Sequence, residues 1–370
     1  MANNKTISFL LGSGFSKPAG LADASEINNI LKNFSINNFK NNFEGIDFCF
    51  EYGEIVLFRL IIEKFINKNH YFDYEEFYDF FFDKIENTDN RIKLIKESFS
   101  IENVLLSKCN LKIEDELLYS RNSNYFTKID ELFNLTLFSI LSLKDASFTK
   151  YDSFTNSIIN ISKDNLINMF TLNHDLLVET IFENKVVFSN GFIENLDKIK
   201  VYKDIFDPKF NVNLFKLHGS LNWFFNEKKE HILIGRNKTI FEKLEDELFI
   251  STILEQYKNN LISESLSPLF LTGKMVKTGN ISKNYQLSQL LLKFKENIGK
   301  SQEVIIIGYS YRDEYINFIL QSEIEKSITI KRIININPKE EFPYSFNNCV
   351  VYNYKGNDWL EKFPLIANCS

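Results

Sequence analysis

Short apolar runs that stop abruptly at glycine or polar residues recur along this chain. Ile7 to Leu11 ends at Gly12-Ser13-Gly14, and Glu303 to Ile307 ends at Gly308. Runs of this length, rich in strand-forming residues and closed by turn residues, are typical of buried parallel strands. The same reading predicts strands over residues 7–11, 165–172, 186–188, 211–217, 303–307, 330–336 and 349–352.

Between the first two predicted strands the pattern is helical. Residues 54–67 and 71–85 place apolar side chains at three- and four-residue intervals, and no proline occurs between Pro18 and Pro208. Both features favour long uninterrupted helices. Further helices are predicted over 176–182, 248–257, 287–298 and from the Gly308 loop to residue 322.

Strands alternating with helices predict an α/β fold with a Rossmann-like parallel sheet. We expect residues 1–20 and 164–370 to form one discontinuous catalytic domain. Residues 21–163 are then a large helical insertion, and residues 225–300 are a second, mainly helical insertion.

Polar clusters stand directly after five of the predicted strands, at Gly12, Asn173, His218, Gly308 and Asn337. Because open parallel sheets bind ligands at the carboxyl ends of their strands, we expect these clusters to converge. An ordinary glycine turn remains the alternative for Gly12-Ser13-Gly14, since the chain lacks the third glycine of the dinucleotide fingerprint.

Composition narrows the class of protein. The 370 residues carry a net charge of −6, which argues against nucleic acid as the main partner. Four widely spaced cysteines with no CxxC pair indicate neither a zinc ribbon nor a disulfide framework, so no metal is expected. The N-terminus has no basic segment and no apolar run approaches bilayer length, so we expect a cytoplasmic protein without a membrane partner.

Three residues at the strand ends have side chains suited to hydrogen bonding and proton transfer. His218 follows a strand within KLHGSLNW, where Leu217 and Trp223 would shield an imidazole able to take a proton near neutral pH. Asn173 can donate to and accept from ribose hydroxyls or water, and Asp175 can hold an amide or balance a developing cation. The alternative for this segment is a helix N-cap after a strand.

Taken together, these motifs resemble the sirtuin family. GSGFSKPAGL is similar to the GAGxS-x-x-x-GI opening of sirtuins, TLNHDLLVE to their TxNxD segment and KLHGS to their histidine motif. IIIGYSYRDEYIN and IININP resemble the late Gly-x-Ser and Ile-Asn elements. The five motifs occur in family order.

The resemblance implies that NAD+ is the substrate and gives each position an expected role. Asn173, Asp175 and His218 would be catalytic, with Asn173 orienting a water and His218 acting as general base. The expected cofactor-binding residues are Gly12, Ser13, Gly14, Ser16, Asp23, Gly308, Ser310 and Asn335. The last three would contact the adenosine half.

Departures from the sirtuin pattern suggest the subtype. The residues that follow the glycine loop are Ala22, Asp23, Ala24 and Ser25 instead of Pro-Asp-Phe-Arg, and no cysteine lies between Cys109 and Cys349 to form a zinc module. The chain is more similar to the sirtuin-like domains of bacterial antiphage defence systems, which hydrolyse NAD+ to nicotinamide and ADP-ribose.

Other functions remain open at this point. A protein deacylase or ADP-ribosyltransferase would use a different acceptor, and a non-catalytic sensor would only bind NAD+ or ADP-ribose. The resemblance implies that the activity on NAD+ is controlled by a homo-oligomer or by a regulatory defence protein, such as an ATPase or an Argonaute-type sensor.

Overall fold

A computed structural model describes residues 5–34, 52–86, 147–194, 200–207, 209–225, 232–234 and 285–368, together with positions 129–130, 132–134, 136–137 and 140–141. The strands are β1 Thr6–Leu11, β2 Leu166–Thr171, β3 Phe192–Glu194, β4 Lys200–Tyr202, β5 Val212–Lys216, β6 Trp223–Phe225, β7 Ile232–Ile234, β8 Glu303–Ile307, β9 Arg332–Ile336 and β10 Val350–Tyr354. The helices are α1 Ser13–Ser16, α2 Ala24–Lys32, α3 Tyr52–Asn69, α4 Tyr74–Glu86, α5 Asp152–Ile161, α6 Leu177–Phe182, α7 Tyr285–Lys300, α8 Glu314–Lys326 and α9 Trp359–Asn368, with 3₁₀ turns at Lys17–Ala19 and Thr149–Tyr151.

Six strands form one sheet in the order β10-β9-β8-β1-β2-β5. Every pairing in it is parallel. This confirms the predicted α/β class with a Rossmann-like parallel sheet. The apolar runs are buried on both faces because helices cover both sides of a parallel sheet.

The central strand β1 divides its side chains between two cores. Phe9 and Leu11 point into one core, and Leu10 points into the other. On the first face, the Phe9 ring lies edge-on to Phe154 of α5 at 6.4 Å between centroids, and Phe154 packs on Phe363 of α9 at 4.8 Å. Helix α5 therefore packs against the sheet although it lies within the predicted insertion 21–163, and the domain boundaries stay a prediction.

One predicted strand is wrong. Residues 186–188 form no strand, and only an isolated bridge pairs Ser189 with Asn213 beside them. Val186 is buried but Val187 is 68% exposed, so the run is not buried on both faces as a strand inside a parallel sheet would be. A run of three apolar residues is too short to show whether the segment is a buried strand or an unpaired segment.

A second sheet was missed by the pattern. Strands β3, β4, β7 and β6 pair antiparallel in that order, and each has three residues. Strands so short carry no readable alternation. The predicted helix 248–257 and most of the predicted insertion 225–300 lie outside the described residues.

The helices that the structure describes include none with the length and hydropathy needed to cross a membrane.

Candidate functional site

The turns after β1 and β8 are in direct backbone contact. Gly12 N donates to Ile307 O at 2.9 Å, and Gly14 N donates to Gly308 O at 3.0 Å. A Cβ added to Gly12 would lie 2.5 Å from Gly308 O, and one added to Gly308 would lie 2.5 Å from Gly14 Cα. Gly308 also has a positive φ of 62°. These glycines are required because two backbones meet here without room for side chains.

Asn173, two residues beyond the last paired residue of β2, is held by the glycine loop. Its Nδ2 donates to Gly12 O and to Ser16 Oγ, both at 2.9 Å. Both amide hydrogens are therefore used within the protein, and this network assigns the amide orientation. The Oδ1 oxygen consequently faces away from the loop as a hydrogen-bond acceptor.

Asp175 holds the Ser16 hydroxyl that accepts from Asn173. Its Oδ2 accepts from Ser16 Oγ at 2.7 Å, and its Oδ1 accepts from Leu177 N at 3.0 Å. Asp175 is 5% exposed and Ser16 is 2% exposed. The carboxylate is thus joined to Asn173 through the Ser16 hydroxyl, whereas the expected contact with a nicotinamide amide remains a prediction.

His218 and Asn173 follow neighbouring strands because β5 pairs with β2. Thr171 pairs with Lys216, so Asn173 and His218 each stand two residues past that pair. Neighbouring strands are separated by about 4.8 Å. The rings of His174 and His218 lie 6.3 Å apart between centroids, and His218 is 7% exposed.

A carboxylate that the sequence did not single out for chemistry faces His218. Asp313 Oδ2 lies 3.3 Å from His218 Nε2. The only local signal was its position before α8, where the side chain caps the helix by accepting from Tyr315 N and Ile316 N. That signal indicated a helix start, and nothing local connected it with His218.

The remaining sheet-end residues differ in accessibility. Ser310 is exposed and Ser13 is half-buried at the same edge. Asn337 is buried and donates to Tyr309 O at 2.8 Å, which ties the end of β9 to the loop after β8. The five predicted clusters thus do converge at one edge of the sheet.

Asn335 is enclosed by the protein. It is 0% exposed, its Nδ2 donates to Glu340 O at 3.0 Å and to Asn353 Oδ1 at 2.9 Å, and its Oδ1 accepts from Tyr311 at 2.8 Å. The structure does not bring this side chain to the open edge, and its contact with adenosine stays a prediction.

Asp23 lies at the start of α2 in a capping box. Its side chain accepts from Glu26 N at 3.1 Å, and the Glu26 side chain accepts from Asp23 N at 3.0 Å. Burial by itself would raise the pKa of Asp23, but the hydrogen bond from Glu26 N and the charges of Lys17 and Lys339 hold it below its ordinary value. The hydrogen bonds of Asp23 connect it with α2, and none joins it to the Asn173 group.

Replacing Asp23 separates its capping role from its expected cofactor role. Asp23→Ala is expected to lower the free energy of unfolding by about 1 kcal/mol, because the cap is lost. Asp23→Asn keeps the cap but loses the charge, so its free energy of unfolding should be lower than that of the wild type at neutral pH. This difference should vanish as the pH falls through the lowered pKa, because wild-type Asp23 is then protonated too. Urea unfolding at several pH values measures both effects.

The KM for NAD+ supplies the second readout for these variants. If Asp23→Asn leaves the KM unchanged, Asp23 is a structural cap and the expected cofactor contact is wrong.

Among the residues that the structure describes, no three His, Cys, Asp or Glu side chains come together as a metal site would require.

Comparison with known proteins gives one family match. Residues 167–344 match the family described as the SIR2-like domain. The matched range contains Asn173, Asp175, His218 and Asp313, while the glycine loop after β1 precedes it. No curated protein matches the chain in sequence.

The matching solved structures include the following three. A sirtuin from work on the structural basis of sirtuin substrate affinity is 14% identical, with 98% of this chain and 93% of that chain covered and a TM-score of 0.40. A Sir2 bound to acetylated peptide is 11% identical, with 100% and 95% covered and a TM-score of 0.40. A Sir2 structure with a p53 peptide and NAD+ is 11% identical, with 100% and 95% covered and a TM-score of 0.39.

Proposed function

We propose that this chain, in which residues 167–344 match the SIR2-like domain, is an NAD+ hydrolase that releases nicotinamide and ADP-ribose. The family match supports NAD-dependent enzymatic activity. Hydrolysis, with water as the acceptor, is the finer proposal and is argued from the residues at the sheet edge.

The observation that carries the proposal is the fixed orientation of Asn173. Its amide group is held by Gly12 O and Ser16 Oγ, and Ser16 is held in turn by Asp175. An amide whose hydrogens are already used can present only its oxygen, which is a hydrogen-bond acceptor. Such an acceptor suits a water molecule or a ribose hydroxyl that must be aligned for reaction.

The proposed step breaks the bond between C1′ of the ribose and the nicotinamide nitrogen. The bonding electron pair leaves with nicotinamide, which becomes neutral, and positive charge develops on the ribose. The water oxygen bonds to C1′ and its proton passes to a base. The atoms of NAD+ and water are thereby distributed between nicotinamide, ADP-ribose and one proton.

His218 is the proposed base. It follows β5, the strand paired with the one that Asn173 follows, and its burial limits competition from bulk water. An imidazole is suited to accept a proton near neutral pH. Asn173 would align the water or the ribose while His218 receives the proton.

The remaining sheet-end residues would bind the rest of the substrate. Ser13 and Ser310 are two polar side chains at the described edge, beside the glycine contact. We assign the pyrophosphate to the loop from Gly12 to Ser16 and the adenosine half to the loop after Gly308.

In the cell, this activity is proposed to deplete NAD+ during antiphage defence. Unrestrained hydrolysis of NAD+ would be toxic to the host, so the proposal includes control by a homo-oligomer or a regulatory partner. Measuring cellular NAD+ before and after phage infection, in cells with wild-type protein or with His218→Ala, tests it. Equal NAD+ levels in the two strains throughout infection would contradict the defence role.

The direct test follows free nicotinamide from NAD+ incubated with the full chain. We expect nicotinamide and ADP-ribose in equal amounts without any added acceptor. Replacing Asn173 with alanine removes the oriented oxygen, and we expect it to slow the release by about 10²-fold or more, as for loss of a positioning group.

Two further versions of this assay show whether the acceptor is water, an acetyl-lysine peptide or a protein side chain. An acetyl-lysine peptide should leave the rate of nicotinamide release unchanged if water is the acceptor. Release that requires the peptide, or label transferred from NAD+ to protein, would show a deacylase or transferase instead. Tight NAD+ binding with no release by purified or partner-containing preparations would show a sensor.

A further inference from the structure

We propose that Asp313 is the positioning residue for His218 in the reaction proposed above, on which this inference rests. Asp313 belongs to the loop between β8 and α8, and His218 follows β5 at the far end of the sheet order. The two side chains meet above the sheet edge, where Asp313 Oδ2 lies 3.3 Å from His218 Nε2.

The Asp313 carboxylate is fixed before it meets the imidazole. Its Oδ1 accepts from Tyr315 N and Ile316 N, both at 3.1 Å, at the N-terminus of α8. The hydroxyl of Tyr309 donates to the main-chain oxygen of Asp313 at 3.1 Å. One carboxylate oxygen is thus used by the helix, and the other is directed at His218.

This contact favours one tautomer of the imidazole. An ionised carboxylate can only accept a hydrogen bond, so its place 3.3 Å from Nε2 favours the form of His218 with the proton on Nε2. In the neutral ring the lone pair is then on Nδ1, which is the atom that can receive a proton. The nearby negative charge also stabilises the imidazolium formed after proton transfer.

Two further titratable groups lie close to His218 in the chain or in space. Lys216 is the last residue of β5, two positions before His218, and its Nζ contacts Glu179 at 3.1 Å and the main-chain oxygen of Asp175. His174 faces His218 from the end of β2. Asp313 is the carboxylate that the described residues bring to the His218 ring.

The test separates the carboxylate from its capping role. Asn and Ser are good helix N-caps, so Asp313→Asn and Asp313→Ser keep α8 capped while removing the charge that faces His218. We expect kcat for nicotinamide release to fall by about 10- to 100-fold in both variants, with a smaller change in KM. The acid limb of the kcat/KM profile should move to lower pH, because His218 loses the carboxylate that favours its protonated form.

A matched control exists in the helical region. Asp73 caps α4 in the same way, with its Oδ1 accepting from Glu75 N and Glu76 N at 3.1 Å each. Asp73→Asn makes the same chemical change at a helix cap that does not face His218. We expect it to keep the wild-type kcat and the wild-type pH profile.

An activity-independent readout distinguishes failure of this inference from failure of the proposed function. Imidazole titration by ¹⁵N NMR, with the His218 signal assigned from His218→Ala, should show a lower pKa for His218 in Asp313→Asn. If wild type releases no nicotinamide, the hydrolase proposal fails and the titration still decides whether Asp313 governs His218. If wild type is active and Asp313→Asn keeps its kcat, pH limb and His218 pKa, the positioning role is overturned while hydrolysis stands.

Discussion

Replacing His218 with alanine is expected to slow nicotinamide release from NAD+ by about 10²–10⁴-fold, the usual contribution of a positioned general base. The variant removes the group beside Asn173 that can take the proton from water, and it leaves the glycine loop and the Asn173 contacts in place. NAD+ binding measured by calorimetry should therefore persist while turnover is lost. Steady-state assays of nicotinamide release measure the turnover.

A matched histidine replacement controls for this result. His70 is exposed and has a positive φ of 63°, a conformation that asparagine tolerates. His70→Asn should hydrolyse NAD+ at the wild-type rate. Wild-type turnover by His218→Ala would rule out His218 as the base, and equal losses in both variants would indicate a general effect on folding.

The second large effect is expected from Gly308→Ala, which should destabilise the fold and remove activity. A left-handed backbone costs a residue with a Cβ about 1–2 kcal/mol. The added Cβ would also lie 2.5 Å from Gly14 Cα, and relieving such an overlap in a packed region costs about 1–3 kcal/mol more. The movement that relieves this overlap would displace the Gly12 turn that holds Asn173. We therefore expect the rate of NAD+ hydrolysis to fall by more than the loss of folded protein explains.

Gly20→Ala is the control for the backbone overlap. Gly20 also has a positive φ, of 91°, but nothing lies within 4 Å of the added Cβ. Gly20→Ala should therefore lower the free energy of unfolding only by the cost of a left-handed backbone at a residue with a Cβ. Urea unfolding of both variants gives the difference, and equal losses would show that the contact between Gly308 and Gly14 is not tight.

Several features at this edge of the sheet were predictable because their signals are local. The apolar run at residues 303–307 coincides with β8, and the run at 7–11 lies within β1 Thr6–Leu11. A strand that is buried on both faces needs a continuous apolar segment, and the turn after it needs glycine or polar residues. Placing polar residues at the carboxyl ends of several parallel strands followed from the rule that these ends share one edge.

Other features gave no local signal. The strands of the small antiparallel sheet are too short for a readable period, and the apolar residues 186–188 form no strand. Asn335 carries the residue type of a ligand contact, yet it is enclosed by its own hydrogen bonds. Residue type does not determine whether a polar side chain faces a ligand or satisfies the protein interior.

By itself, the sequence determined the parallel sheet, the helices that cover it and the edge at which the polar residues gather. The tertiary structure alone decided how those residues pair: Asn173 Oδ1 is presented because Gly12 and Ser16 take its hydrogens, and His218 faces Asp313. The physical reason is that strands and turns follow from interactions between neighbours in the chain. The direction of a hydrogen bond between distant segments depends on how the whole sheet is assembled.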